Sequence, residues 1–303
     1  MSASPYKSGF VAVLGRPNVG KSALVNALLG QKVAAVTPRP QTTRKRQMGI
    51  LTLEDPERQG QVVFIDTPGV HRPRHKLGQH MNDEALETLK EADVVLFVAD
   101  SSQPPTSEDQ QLFDLLAELR RPGHVLLALN KIDLLSPEAL AERQQVFSAN
   151  LPGALLLPIS ARRGDGLPAL LDAILERLPA GEPFFPPDQM TDLYERDIAA
   201  DLIREACLIL LRDEIPHGIA IRIDQYTERG DEGAYIEATI FVEREAHKPI
   251  VIGRNGEMLK QIGSSARRAI EEMSGRKVYL QLKVKLRKNW RDDEAVLKNF
   301  GYR

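Results

Sequence analysis

The sequence predicts two unlike domains: an α/β domain on a mostly parallel, helix-covered sheet, then a smaller α+β domain. Three observations carry this. Through residue 178, short and nearly continuous apolar runs alternate with longer helical-looking segments, as in a parallel sheet covered on both faces. The stretch "PAGEPFFPPD" at 179–188 places four prolines in ten residues, which removes donors and disfavours helix. Beyond it the pattern changes to amphipathic helices and alternating strands. A chain of 303 residues is long for one core and suits two. The expected boundaries are 1–178, a stiff linker at 179–191 that also serves as hinge, and 192–303.

Composition narrows the class. No apolar run approaches the roughly 20 residues that span a bilayer, and "MSASPYKSGF" lacks a basic-then-apolar leader. A single cysteine, Cys207, excludes a disulfide framework and argues against a cysteine zinc site. A cytoplasmic protein is expected. The net charge of −2 hides an asymmetry. Residues 182–245 carry 16 acidic and 6 basic side chains, whereas 248–291 carry 12 basic and 3 acidic. The second excess points to a polyanionic partner.

In the first domain the expected strands are "FVAVLG", "QVVFID", "DVVLFVAD", "HVLLALN" and "ALLLPIS". Ligands of such sheets sit beyond the carboxyl ends of the strands. Four of the runs end there in Gly15, Asp66, Asn130 and Ser160. "GRPNVGKS" follows the first strand and opens a helix, so its backbone N–H groups can curl around phosphate oxygens. Lys21 is expected at the β- and γ-phosphates and Ser22 on Mg²⁺. "DTPG" places Asp66 to hold Mg²⁺ through water, and the Gly69 N–H to sense the γ-phosphate. "NKID" at 130–133 selects the base. Guanine offers two adjacent donors, N1–H and N2–H₂, that the Asp133 carboxylate can accept together. Adenine has neither. Asn130 would brace the loop, Lys131 pack along the base, and the Ala161 N–H of "SAR" meet guanine O6. The expected nucleotide contacts are therefore Gly15, Arg16, Pro17, Asn18, Val19, Gly20, Lys21, Ser22 and Ala23. Asp66, Thr67, Pro68 and Gly69 join them, with Asn130, Lys131, Asp133, Ser160, Ala161 and Arg162 at the base.

In the second domain a helical stripe runs Ile198, Leu202, Ala206, Ile209. Two strand-like runs, "GIAIRIDQY" and "AYIEATIFVE", flank the turn-rich "TERGDEG". A second glycine loop, "VIGRNG", then opens a helix with the stripe Leu259, Ile262, Ala266, Ile270, Met273. It lacks the Lys-Ser/Thr pair of a phosphate loop. The final strand alternates, with Val278, Leu280, Leu282, Val284 and Leu286 opposite Tyr279, Gln281, Lys283, Lys285 and Arg287. His71, His75 and His80 fall in the segment after "DTPG", expected to be a mobile second switch, and are not read as a metal site; Cys207 is read as a core residue. Trp290 is read as packing ahead of the alternative, stacking on RNA; the surrounding "KLRKNWR" would also suit an anionic lipid surface.

The four motifs in this order resemble the TRAFAC class of GTPases, and "GRPNVGKS" with "QTTRKR" resembles its Era subfamily. The resemblance makes 41–45 the first switch, where Thr42 or Thr43 completes the Mg²⁺ shell; Thr43, beside the arginine, is favoured. Val70 stands where Ras-like enzymes carry a water-orienting glutamine. Asn18 is then expected to hold a K⁺, making Lys21, Thr43, Asn18 and Gly69 the catalytic set. The second domain resembles a type II KH module, whose GxxG loop clamps about four nucleotides. Its expected RNA contacts are Ile252, Gly253, Arg254, Asn255, Gly256, Lys260, Arg267, Arg268, Lys283 and Lys285. The resemblance implies a monomeric GTPase using GTP, GDP and Mg²⁺, bound to the 3′ end of small-subunit (16S) ribosomal RNA and acting in 30S assembly, with no DNA partner. The rival reading is a GTP-gated adaptor for a protein partner.

Overall fold

A computed structural model describes residues 5–37, 39, 42–55, 58–69, 73, 75–118, 122–228 and 233–302. Val70 and His71, singled out above, lie outside the described residues. The chain divides into two compact units, one of 1–32, 43–72 and 81–192, the other of 33–42, 73–80 and 193–303.

The elements before residue 192 run β1 (Lys7–Leu14), α1 (Lys21–Leu29), β2 (Gln47–Asp55), β3 (Arg58–Asp66), α2 (Lys76–Glu91), β4 (Val94–Asp100) and α3 (Ser107–Glu118). They continue with β5 (Val125–Asn130), α4 (Pro137–Asn150), β6 (Leu155–Pro158) and α5 (Leu167–Arg177). The sheet order is β2-β3-β1-β4-β5-β6. All five apolar runs form strands that pair in parallel. The sequence reading missed β2, which pairs antiparallel to β3. β4 and β5 are buried at every residue, which explains why their sequences are continuously apolar rather than alternating. On one face Phe113 meets Phe97 edge-on at 5.4 Å and Phe147 at 6.1 Å.

The proline-rich stretch does not behave as an independent linker. Ser8 N–H donates to the Pro179 carbonyl and Gly181 N–H to that of Tyr6, both at 3.1 Å. The buried Gln61 side chain accepts from Phe184 and Phe185 N–H at 2.7 and 3.0 Å and donates to the Phe185 carbonyl at 2.9 Å. Ile50 N–H reaches the Met190 carbonyl at 2.8 Å. Four prolines leave the segment few backbone donors for pairing with itself, and most of the groups that remain pair with residues of this unit instead. The unit boundary falls between Asp192 and Leu193.

The second unit adds α6 (Glu195–Leu210), β7 (Ala220–Glu228), β8 (Ala234–Val242), α7 (His247–Ile252), α8 (Glu257–Ser274), β9 (Val278–Leu286) and α9 (Glu294–Asn299). β7 and β8 pair antiparallel, β8 and β9 in parallel. The order is helix-strand-strand-helix-helix-strand, with the short α7 preceding the glycine loop. Its core joins Ile198, Leu202 and Ala206 to Ile236, Ile262 and Ile270. Ile209, expected in the same stripe, is 51% exposed, although Leu208 and Leu211 around it are buried. Trp290 is buried; its indole N–H donates to the Gly218 carbonyl at 2.9 Å and its ring meets Phe300 edge-on at 5.5 Å. Cys207 is buried too, and burial pushes its thiol up to about 12. No helix among the described residues is long and apolar enough to cross a membrane.

Candidate nucleotide site and nucleic-acid groove

The carboxyl ends of β1, β3 and β5 bring the first three motifs together. Gly20 caps α1 in a left-handed conformation (φ 102°), and a Cβ there would lie 2.4 Å from Asn130 Nδ2. Only glycine lets the phosphate loop and the base loop approach so closely. Lys21 is buried and donates to the carbonyls of Gly15 (3.0 Å) and Arg16 (3.2 Å). Burial pulls its ammonium down to about 8, Arg16 adds to that fall, and Asp66 opposes it.

Asp66 is buried at the end of β3, and its Oδ2 accepts from Ser22 Oγ at 2.6 Å and Thr43 Oγ1 at 3.2 Å. Those hydroxyls lie 2.9 Å apart. Burial pushes the Asp66 carboxyl up, against the pull of Lys21 and both hydroxyls. Its Oδ1 is buried without a hydrogen-bond partner. An orphaned carboxylate oxygen beside two hydroxyls is a hard-oxygen set suited to Mg²⁺, which Ser22, Thr43 and Asp66 would hold. The Thr42 hydroxyl pairs with Thr37 Oγ1 (2.7 Å) and the Arg39 carbonyl (2.9 Å). Gly69 lies against Pro17, where a Cβ would come within 2.8 Å of its nitrogen.

At the base end, Asn130 ties three segments. Its Nδ2 donates to the Val19 carbonyl at 2.8 Å, and its Oδ1 accepts from Lys131 N–H (2.8 Å) and Ala161 N–H (2.9 Å). The Ala161 N–H, expected to face guanine O6, is thus directed at Asn130. Ser160 Oγ donates to Asp133 Oδ1 at 2.7 Å and fixes the rotamer of that carboxylate. Lys131 Nζ reaches the Asn18 carbonyl at 2.9 Å and Asp100 Oδ2 at 2.6 Å. Asp100 was not anticipated. Burial alone would raise its carboxyl, but hydrogen bonds from Lys131 and Ser102 bring it below the usual range.

In the second unit the GxxG loop connects α7 to α8. Gly253, Asn255 and Gly256 all have positive φ (76°, 51° and 81°). Asparagine tolerates that region, so Asn255 can take the positive φ this turn has. Beside the loop, α8 and β9 frame an open groove of about 540 Å³. Leu259, Leu280 and Leu282 line it with Lys260 and Arg267, and Tyr279 and Gln281 stand on its β9 side. The sequence reading named Lys260 and Arg267 but missed the leucines and Tyr279. The alternation showed the β9 leucines to be core-facing, but not that β9 lies at the sheet edge, where core-facing residues also line whatever opens there. Arg254, Arg267 and Arg268 are exposed, and Ile252 is half-buried. Lys283 and Lys285 lie on the opposite, open sheet face, where Lys283 pairs with Glu237. Tyr279 stacks there on Tyr235 at 5.5 Å. His75 lies 3.7 Å from Asp292 and His80 is 3.2 Å from Glu294. Among the described residues no cluster of His, Cys, Asp and Glu could hold a metal.

The family described as "50S ribosome-binding GTPase" matches residues 10–131, and the family described as "KH domain" matches 214–291. A protein named GTPase Era from Geotalea uraniireducens (strain Rf4) is 46% identical over 302 residues, covering all of both chains. That of Geobacter metallireducens is 44% identical over 303, again across both. A crystal structure of Era in complex with MgGDPNP and nucleotides 1506–1542 of 16S ribosomal RNA matches with TM-score 0.92 at 38% identity, covering 98% of this chain and 99% of that one. A variant of Aquifex aeolicus Era bound to GDP·AlF4⁻ matches over the same shares at 0.91.

Proposed function

This chain belongs to the Era family of GTPases, and we propose that GTP turnover in its first unit times the grip of its second on the 3′ end of small-subunit ribosomal RNA during 30S assembly. The observation that carries the RNA half is the groove between α8 and β9, apolar at its leucines and basic at Lys260 and Arg267, opening beside a GxxG turn. A single-stranded segment fits it, with bases against the leucines and phosphates at the arginines and the loop. The relative solved with 16S nucleotides supports that RNA class.

In the first unit, Asp133 accepts the two guanine donors with its rotamer fixed by Ser160. Lys21 and the loop N–H groups meet the phosphates. Mg²⁺ held by Ser22, Thr43 and Asp66 would supply neutralisation of charge on the phosphate oxygens. Asn18 is exposed with φ 66°, and we assign to its side chain the K⁺ role expected from the resemblance. Hydrolysis measured in K⁺ and in Na⁺ checks it: a faster rate in K⁺ is expected, and equal rates refute it. A cytoplasmic setting belongs to the same proposal.

The test of the whole reading is affinity for a short RNA from the small-subunit rRNA 3′ end, with GDP and with a non-hydrolysable GTP analogue. Tighter binding with the analogue is expected, lost in Gly256→Asp. Contacts from Arg254, Lys260 and Arg267 should give a slope of log affinity against log salt of about −2, at about −0.7 per contact for single strands. A flat salt response and an unaffected Gly256→Asp would instead favour a protein partner.

A further inference from the structure

We propose that Asp109, in the first turn of α3, is a positioning residue for bound nucleotide. It acts through Arg16, setting the conformation of the phosphate loop whose Arg16 carbonyl holds Lys21. The link is short and dry. Arg16 Nε donates to Asp109 Oδ2 at 3.1 Å, with the two side chains only 11% and 1% exposed. Arg16 Nη2 lies 3.9 Å from Asp100 Oδ2, the same oxygen that receives Lys131 Nζ at 2.6 Å. A chain of charges thus runs from α3 through the phosphate loop to the guanine loop: Asp109, Arg16, Asp100, Lys131. Lys131 closes it by donating to the Asn18 carbonyl at 2.9 Å.

Asp109 also has a local duty. Its Oδ2 accepts from Thr106 N–H at 2.9 Å and Thr106 Oγ1 at 2.8 Å, and its own N–H reaches Thr106 Oγ1 at 3.3 Å. This is a capping box, and such carboxylates need not be buried to cap. Here Asp109 is buried. Its Oδ1 and Arg16 Nη2 are both buried without a hydrogen-bond partner. The pair therefore makes one contact where a guanidinium and a carboxylate can make two. An arrangement that leaves a capping requirement satisfied and a charge pair half-engaged is one shaped by the loop, not by the helix.

The two duties separate experimentally, using the full chain, mant-GDP release and thermal unfolding. Asp109→Asn keeps the shape of the cap but removes the charge. GDP release is expected to quicken about tenfold, the scale of losing a hydrogen bond between charged groups. Arg16→Ala should do the same, and the double variant should be no faster than the faster single, because both remove one interaction. Arg16→Lys, which keeps the charge, should recover part of the loss. Thr106→Val removes a hydroxyl that donates to the same Asp109 Oδ2 but leaves the carboxylate charge facing Arg16, so it should lower Tm and quicken release less than Asp109→Asn does. Release rates that multiply in the double variant would overturn the proposal. So would an Asp109→Asn effect confined to Tm. Should Asp109→Asn fail to fold, the Arg16 variants decide alone: unchanged release in Arg16→Ala refutes it.

Discussion

If Lys21 meets the phosphates as proposed, its burial makes nucleotide binding a proton-linked event. Its carbonyl partners, Gly15 and Arg16, hold the head group in place, but burial pulls it down to about 8 from the ordinary lysine value of 10.5. A phosphate beside it favours the charged form and raises it again. Above pH 8 the free protein holds Lys21 mostly neutral, so binding must take up a proton. Below pH 8 it is already charged and binding takes up none. GDP affinity should therefore be flat from pH 6.5 to 7.5 and fall toward about tenfold per unit above 8. Titration calorimetry at pH 8.8 in buffers of different ionisation heat should show uptake approaching one proton. An affinity flat to pH 9.5 would mean that the free Lys21 is not depressed. Cys207, by contrast, titrates too high to be reactive, which makes the lone thiol a packing residue.

At the scale of elements, the GxxG turn separates two uses of glycine. A Cβ on Gly253 would lie 2.7 Å from Met258 N and Cβ, so this position needs space as well as its φ of 76°. On Gly256 a Cβ would meet nothing within 4 Å, and only the φ of 81° speaks for glycine. Gly256→Ala should cost about 1 kcal/mol, the scale of one residue forced left-handed. Gly253→Ala should cost more, since backbone must shift too. Chemical denaturation of the two variants checks the order; equal costs would show that the contact with Met258 yields freely. The turn itself was legible in the sequence because its signal is contiguous, as were "GRPNVGKS", "DTPG" and "NKID". Elements defined by distant partners were not. Residues 179–191 read as a linker because their bonds go to Tyr6, Ser8, Ile50 and Gln61. The Arg16–Asp109 pair spans 93 positions, and neither residue type announces the other. The groove leucines were read correctly as inward-facing, but only the edge position of β9 in its sheet makes inward mean groove.

For the molecule as a whole, each unit carries its own core and its own site, so the question is whether the sites share free energy. Nothing about a single site requires it. GTP can bias RNA binding only by the difference in its affinity for the states that bind RNA well and poorly. Linkage then makes the effect reciprocal. If the analogue tightens RNA about tenfold relative to GDP, corresponding to about 1.4 kcal/mol, saturating RNA must raise the preference for analogue over GDP by the same factor. The two measurements use different ligands and different readouts, so agreement between them is a demanding check. We expect both ratios to exceed unity and to match: fluorescence anisotropy of labelled RNA for one, mant-nucleotide competition with and without RNA for the other. Gly256→Asp should abolish the effect of RNA on nucleotide preference while leaving nucleotide affinity in the absence of RNA unchanged. Ratios of one in both directions would make the chain a GTPase and an RNA binder without communication. In that case hydrolysis could time release only through a third component that contacts both units.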